Sequence, residues 1–91
     1  MKYTIKSTKR FEKDVKQAQK RGKDLEKLFF VIEKLANGET LDEKYRDHNL
    51  VGLYRGCREC HIEPDWLLVY EIFEDVLILS LARTGTHSDL F

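Results

Sequence analysis

The chain has 91 residues, 42% of them hydrophobic, and it carries 16 basic and 16 acidic side chains. This length predicts one domain, spanning residues 1–91, with a thin hydrophobic core. There is no apolar run of the roughly 18 residues that a membrane span needs, nor a signal-peptide pattern at the N-terminus, so the sequence excludes a transmembrane protein and predicts a cytoplasmic one without a membrane partner.

The net charge of zero conceals a separation of charge along the chain. Residues 1–34 contain eleven Lys or Arg and five Asp or Glu, whereas residues 35–91 contain five and eleven. Such asymmetry is typical of a basic surface that binds an anionic partner such as a nucleic acid. A solvated helix surface is the more common explanation of a charge run, and composition alone leaves both open.

The N-terminal half predicts one strand followed by two helices. Residues 3–6 alternate like a short strand, and Ser7-Thr8 supplies a hydroxyl that can cap a helix. An apolar stripe along that helix is matched on its opposite face by four lysines: Lys9, Lys13, Lys16 and Lys20. Gly22 is expected to end the helix, Asp24 to cap the next one, and Asn37-Gly38 to end that one. The two helices are expected to form an antiparallel hairpin.

The C-terminal half predicts strands. After a loop over residues 39–49, the pattern favours strands at residues 50–56, 57–63, 66–73 and 76–83, with turns at Pro64-Asp65 and Glu74-Asp75. The last strand is almost continuously apolar, so we expect it to be central and covered on both faces. Residues 85–91 read as a polar tail. The order β-α-α-β-β-β-β indicates an α+β fold, with a helix hairpin packed on a mostly antiparallel sheet.

Three histidines, His48, His61 and His87, fall at predicted strand ends or in adjacent loops. Because hairpin strands return to the same end of a sheet, His61 and the tail that carries His87 are expected to approach each other. Histidines can exchange protons near neutral pH, which is the chemistry that cleavage of RNA by its own 2′-hydroxyl requires. Arg83, at the end of the last strand, can neutralise the phosphate. The alternatives are ordinary surface histidines or a zinc site, although the close-spaced ligand pair of structural zinc sites is missing.

Two aromatic residues are candidates for contact with nucleobases. Trp66 and Phe91 can stack on unpaired bases, as aromatic side chains do in proteins that bind single-stranded RNA. Trp66 lies beside a turn and before an apolar strand, and its position by itself favours packing in the core.

The segment Cys57-Arg58-Glu59-Cys60-His61 has the spacing of a c-type haem attachment motif. It lies in a predicted strand, where residues three apart point to opposite faces and are about 10 Å apart, too far for a disulfide. We therefore expect free thiols that are dispensable for function, with one cysteine in the core and the other on the side of His61.

Four stretches together resemble the YafQ-type toxins of the RelE/ParE superfamily, and the resemblance spans essentially the whole chain. They are DVKQAQKR from Asp14, RDHNL from Arg46, HIEPDW from His61 and RTGTHSDLF from Arg83. The resemblance implies a toxin of a type II toxin–antitoxin pair with the RelE-like fold. Such toxins are metal-independent endoribonucleases that cut mRNA in the ribosomal A site, at adenine-rich codons in YafQ relatives, and a cognate antitoxin blocks them.

The resemblance also implies roles for individual residues. His48 is expected to act as the general base and His87 as the general acid, with His61 and Asp65 orienting the phosphate. Trp66 and Phe91 are expected to shape the nucleotide pocket. Separately from the resemblance, the charge of the lysine face on the first helix predicts that it binds ribosomal RNA, with 16S rRNA as the partner. No cofactor or metal is expected. A gyrase-binding toxin of the ParE type and a non-catalytic interaction domain remain as alternatives.

Overall fold

The computed structural model describes residues 1–91 and contains five strands and three helices. Two short 3-10 turns, Glu43–Tyr45 and Gly52–Tyr54, lie in the connection between the second helix and the third strand. In chain order the elements are β1 Thr4–Ser7, α1 Lys9–Lys20, α2 Leu25–Ala36, β2 His48–Asn49, β3 Arg58–Glu63, β4 Trp66–Phe73, β5 Ile78–Gly85 and α3 His87–Leu90.

The two long helices begin where the sequence predicts. The Thr8 hydroxyl accepts a hydrogen bond from the backbone amide of Phe11, and the Asp24 carboxylate accepts one from that of Glu26. Each cap satisfies a donor that the first helical turn leaves unpaired. The predicted helix pair is therefore confirmed, with α1 and α2 joined by four residues. None of the helices is long and apolar enough to span a membrane.

The sheet has the strand order β1-β5-β4-β3-β2, in which β1 and β5 pair in parallel and the other pairs are antiparallel. The helix-covered face holds the main core of 16 buried residues, Leu28, Leu68 and Leu79 among them. The opposite face carries a smaller cluster of Leu67, Val69 and Leu90. This arrangement confirms the predicted α+β fold with helices on a mostly antiparallel sheet.

The central strand of the sheet is β4. The apolar pattern had predicted that the last strand would be central, and this prediction is wrong. Five consecutive residues of β4, from Trp66 to Tyr70, are buried, because both sheet faces are covered there. Strand β5 lies between β1 and β4, and its apolar run is shorter than the sequence implies. Val76 and Leu77 belong to the preceding turn and are exposed, and Leu77 has a left-handed backbone with φ 53°.

The predicted strand at residues 50–56 is wrong. Gly52 and Gly56 adopt left-handed conformations with φ 70° and 94°, so the segment folds as a 3-10 turn. Its Val51 and Leu53 side chains are exposed, although an alternating strand would bury one face. The second strand is instead the two-residue β2, His48–Asn49, inside the predicted loop.

The predicted polar tail ends in a helical turn, α3. The Thr86 hydroxyl accepts a hydrogen bond from the Asp89 amide, and the Asp89 carboxylate accepts one from the Thr86 amide. This reciprocal capping box offsets the entropy cost of ordering a single turn. The side chain of Leu90 then packs on Leu67 and Val69.

The two cysteines lie on opposite faces of the sheet, as expected. Cys60 is fully buried in the helix-covered core, whereas Cys57 is half-buried beside the smaller cluster. Both are free thiols. Burial raises the pKa of each, which keeps them in the unreactive protonated form at neutral pH.

Candidate active site

His48, His61 and His87 lie in one row on the sheet face opposite α1 and α2. The strand register places His48 opposite Glu59 and His61 opposite Leu67, which belongs to the smaller cluster on that face. The ring centroids of His48 and His61 are 6.4 Å apart, and those of His61 and His87 are 5.8 Å apart. The predicted approach of His61 and His87 is thus observed. No group of three or more His, Cys, Asp or Glu residues is arranged to hold a metal ion.

At one end of the row, Asp65 holds His87 through two contacts. The backbone amide of His87 donates to Asp65 Oδ1 over 3.0 Å, and its ring Nδ1 lies 2.7 Å from the same oxygen. The hydrogen bond from the amide, followed by that from the ring, lowers the pKa of the Asp65 carboxyl. The contact of Nδ1 with this carboxylate orients the ring and leaves Nε2 without a protein partner. His87 is therefore positioned to exchange a proton through Nε2.

The turn that carries His87 is tied to α1. Arg21 donates to both carboxylate oxygens of Asp89, over 2.6 and 3.2 Å. This guanidinium, with the Thr86 amide, holds the pKa of Asp89 well below its usual range. A Cβ atom at Gly85 would lie 2.9 Å from Asp89 Oδ2, so the close approach of the two residues requires glycine.

At the other end of the row, both ring nitrogens of His48 face oxygen atoms. Nδ1 lies 2.6 Å from the carbonyl of Arg46, a residue with a left-handed backbone of φ 51°, and Nε2 lies 3.0 Å from Glu59 Oε2. Because a carbonyl only accepts, Nδ1 must be the donor in the contact with Arg46. Both ring nitrogens of His48 are thus engaged by protein oxygen atoms.

Glu59 is a residue of this site that the sequence interpretation missed. Only 5% of it is exposed, and its Oε1 atom has no hydrogen-bond partner. A buried carboxylate is costly unless a positive group compensates it, and His48 is placed to be that group. The alternation of strand residues, which puts Glu59 and His61 on the same side of β3, is the signal that was available to find it.

His61, in the middle of the row, has one free nitrogen. Its Nδ1 lies 3.2 Å from the carbonyl of Pro64, to which it donates. Its Nε2 atom has no protein partner and carries the lone pair in this tautomer. Of the three rings, His61 is therefore the one arranged to accept a proton.

Arg83 and Trp66, which were expected to contact the substrate, form hydrogen bonds with other side chains of the protein. Arg83 donates to both oxygens of Asp14, over 2.7 and 3.2 Å, and only 16% of its side chain is exposed. Its charge is thus engaged by α1 and is not free for a phosphate. Trp66 is 1% exposed, and its Nε1 donates to Thr84 Oγ1 in the core. The burial of Trp66 fits the packing interpretation. Both residues line a cleft of about 240 Å³ beside α1, and contact of either with RNA stays a prediction.

The other expected binding residues lie on the surface. Phe91 is exposed, and its ring meets that of Tyr54 edge-on at 5.3 Å. The four lysines of α1 are exposed in one stripe and form no ion pair: Lys9, Lys13, Lys16 and Lys20. Three of them line a shallow groove with Gln17 and Arg21.

Comparison with known proteins gives consistent matches. Residues 3–91 match the family model described as the bacterial toxin of a type II toxin–antitoxin system, YafQ. The mRNA interferase toxin YafQ of Escherichia coli K12 is 45% identical over 82 residues, which are 89% of this chain and 87% of that protein.

Solved structures match over nearly the full length. The structure of the E. coli DinJ–YafQ complex contains a chain with a TM-score of 0.90 and 42% identity, covering 98% of both chains. A metal-bound toxin from Helicobacter pylori gives a TM-score of 0.92 and 46% identity, covering 98% of this chain and 99% of that one.

Proposed function

Because this chain belongs to the YafQ family of toxins of type II toxin–antitoxin systems, we propose that it cuts mRNA in the ribosomal A site and that a cognate antitoxin neutralises it. Its relatives are named mRNA interferases, which favours RNA cleavage over the gyrase-binding and non-catalytic alternatives. The observation that carries the proposal is the row of three histidines. The Nε2 atoms of His61 and His87 have no protein partner, and a carboxylate contacts each end of the row, Glu59 at His48 and Asp65 at His87.

The geometry supports cleavage by the RNA's own 2′-hydroxyl. In the proposed reaction, His61 Nε2 removes the proton from the 2′-oxygen, which attacks the adjacent phosphorus. The bond from phosphorus to the 5′-oxygen breaks, and His87 Nε2 supplies the proton that this oxygen takes up. The products are a 2′,3′-cyclic phosphate and a 5′-hydroxyl. The ring centroids of the two histidines lie 5.8 Å apart, which is close enough for both rings to contact one phosphate group.

This assignment differs from the expectation that His48 is the base. Both nitrogens of His48 contact protein oxygen atoms, of the Arg46 carbonyl and of Glu59, so neither is free to meet the 2′-hydroxyl. We assign it the task of supplying positive charge beside the phosphate, which Arg83 cannot supply while it pairs with Asp14. Asp65 orients His87 through the ring Nδ1 and the backbone amide.

No metal ion takes part in these steps, because the nucleophile and both proton carriers belong to the RNA and to the histidine row. The similar toxin from H. pylori is metal-bound, and that metal is a property of the H. pylori protein. We propose metal-independent cleavage for this chain, in the cytoplasm, where ribosomes and mRNA are found.

The lysine stripe of α1 is proposed to bind ribosomal RNA, and its charge reversal is expected to weaken ribosome binding. Each neutralised phosphate steepens the salt dependence of binding, so Lys13→Glu, Lys16→Glu and Lys20→Glu together should flatten the plot of log affinity against log salt by about 1 per lysine. Filter binding to ribosomes across a salt series measures this slope. Lys6→Glu, on the exposed strand β1, is the control. A triple variant that binds as tightly as wild type at low salt would contradict the proposal.

The function itself is tested by inducing the protein in growing bacteria and mapping messenger ends. We expect new 5′ ends inside translated reading frames, in phase with codons and enriched at adenine-rich ones. Co-expression of the cognate antitoxin should remove them. Growth arrest without such ends, or with relaxed DNA that indicates gyrase inhibition, would overturn the assignment.

A further inference from the structure

A groove of about 710 Å³ begins at His61 and leads away from His87. It lies between the first half of α2, the 3-10 turn at residues 43–45 and the β3–β4 turn. Its volume is within the range of pockets that hold ligands the size of a nucleotide. Apart from His61, the sequence interpretation assigned no role to the residues that line this groove.

Two aromatic rings line the groove. Phe30 on α2 is 52% exposed, and Lys34 Nζ lies 5.2 Å from its ring centroid. Tyr45 lies across from it and is half-buried against the core, with Lys44 Nζ 5.2 Å from its ring centroid. Exposed rings beside cations are the surfaces on which unpaired nucleobases stack.

The floor of the groove is an open strand edge. Strand β2 pairs only with Arg58 and Glu59, so residues 60–63 of β3 have no strand partner on that side. No loop or turn backbone forms a hydrogen bond with that stretch either. An unpaired edge offers backbone donors and acceptors, which can meet the edge of a base.

The charge around the groove suits a polyanion. Lys44 and Arg46 are exposed and form no ion pair, and the acidic Glu63 is neutralised by Lys23 and Lys27 at 3.0 Å each. Glu26 is the one lining carboxylate without an ion pair, so the unpaired cations outnumber it. Arg46 also links the groove to the histidine row, because its carbonyl accepts from His48. Its left-handed backbone aims the carbonyl at the ring, and its side chain belongs to the groove.

From these features we propose that the groove binds the nucleobase of the nucleotide on the 5′ side of the cut, the one whose 2′-hydroxyl attacks. The inference rests on the proposed function, because it takes His61 as the group that meets that hydroxyl. The base stacks on Phe30 and Tyr45, and Lys44 and Arg46 contact the phosphate that precedes it. The groove is then the part of the site that positions the attacking ribose and selects the base it carries.

The test uses ribosomes programmed with a short mRNA that has an adenine codon in the A site. Phe30→Ala is expected to lower kcat/KM for cleavage about tenfold, the scale of one lost base stack. An abasic ribose on the 5′ side of the cut should lower the wild-type value by a similar factor. Combining the two should add little, because both changes remove the same contact. An abasic ribose on the 3′ side should act equally on wild type and variant.

Phe29→Ala is the matched protein control, since Phe29 is 48% exposed on the same helix and does not line the groove. Tyr45→Ala should resemble Phe30→Ala, and Tyr45→Phe should restore cleavage, with melting curves confirming that each variant is folded. Additive effects of Phe30→Ala and the 5′ abasic ribose would overturn the subsite.

A second binding measurement separates RNA from a protein occupant. If Phe30→Ala weakens binding of the cognate antitoxin and leaves cleavage unchanged, the groove belongs to the antitoxin and the proposal is wrong. If wild type fails to cut the programmed mRNA, it is the proposed function that fails. Cutting by wild type with no loss in the groove variants overturns the subsite alone.

Discussion

Replacing His87 with alanine is expected to lower the rate of mRNA cleavage by about 10²–10⁴ and to abolish toxicity, because a positioned acid or base typically contributes that factor. His87 Nε2 is the free nitrogen at the Asp65 end of the histidine row. The cost in stability should be small, since the imidazole is exposed and exposed ion pairs contribute little. Single-turnover cleavage on programmed ribosomes measures the loss.

The neighbouring Ser88→Ala variant is the control, because Ser88 occupies the same one-turn helix, is exposed and forms no side-chain hydrogen bond. It should cleave like wild type. The His87 variant should retain wild-type antitoxin affinity and melting temperature, which shows that the fold survives. Full toxicity of the His87 variant at equal expression would remove His87 from the mechanism.

A single 2′-deoxy substitution on the 5′ side of the cut is expected to abolish cleavage, since it removes the attacking nucleophile itself. The enzyme should still bind this substrate, so the deoxy mRNA should act as a competitive inhibitor of cleavage of the all-ribose one. Cleaved all-ribose mRNA should end in a 2′,3′-cyclic or 3′-phosphate, which mass spectrometry of the fragments identifies.

The same assay tests the role of metal ions. Dialysing the toxin against a chelator before it meets intact ribosomes should leave the cleavage rate unchanged, because no proposed step involves a metal. Two results contradict the mechanism: cleavage that survives the 2′-deoxy substitution, and cleavage that the chelator treatment abolishes and added metal restores.

Local signals in the sequence were sufficient for much of the fold. Thr8 and Asp24 cap α1 and α2 through contacts two or three residues along the chain, and such contacts depend on neighbours in sequence alone. The bounds of β4 agree with the predicted strand at residues 66–73 because a turn signal precedes it and a second turn follows. The prediction of a strand at residues 50–56 was wrong because it followed the apolar side chains. Gly52 and Gly56 adopt left-handed conformations there, which interrupt an extended strand.

The sequence predicted which histidines lie close together better than it predicted the contacts of individual side chains. Hairpin geometry sufficed to expect that His61 and His87 meet. The partner of Arg83 is Asp14, on a helix 69 residues earlier, and no local pattern reveals which carboxylate a guanidinium will find. Glu59 was missed for a related reason, because its burial depends on how the half-buried segment before β3 and the residues of β4 pack around it.

The parallel pairing of β1 with β5 brings Thr4 opposite Ile78, 74 positions later in the chain. Contacts over such a span give the fold a high contact order, and the entropy of closing the loop must be overcome before they stabilise anything. During vectorial synthesis, residues 4–7 leave the ribosome long before β5 exists, so β1 stays without its strand partner until residues 78–85 have emerged. The histidine row also forms only after β5 has been made, because His87 follows β5 in the chain.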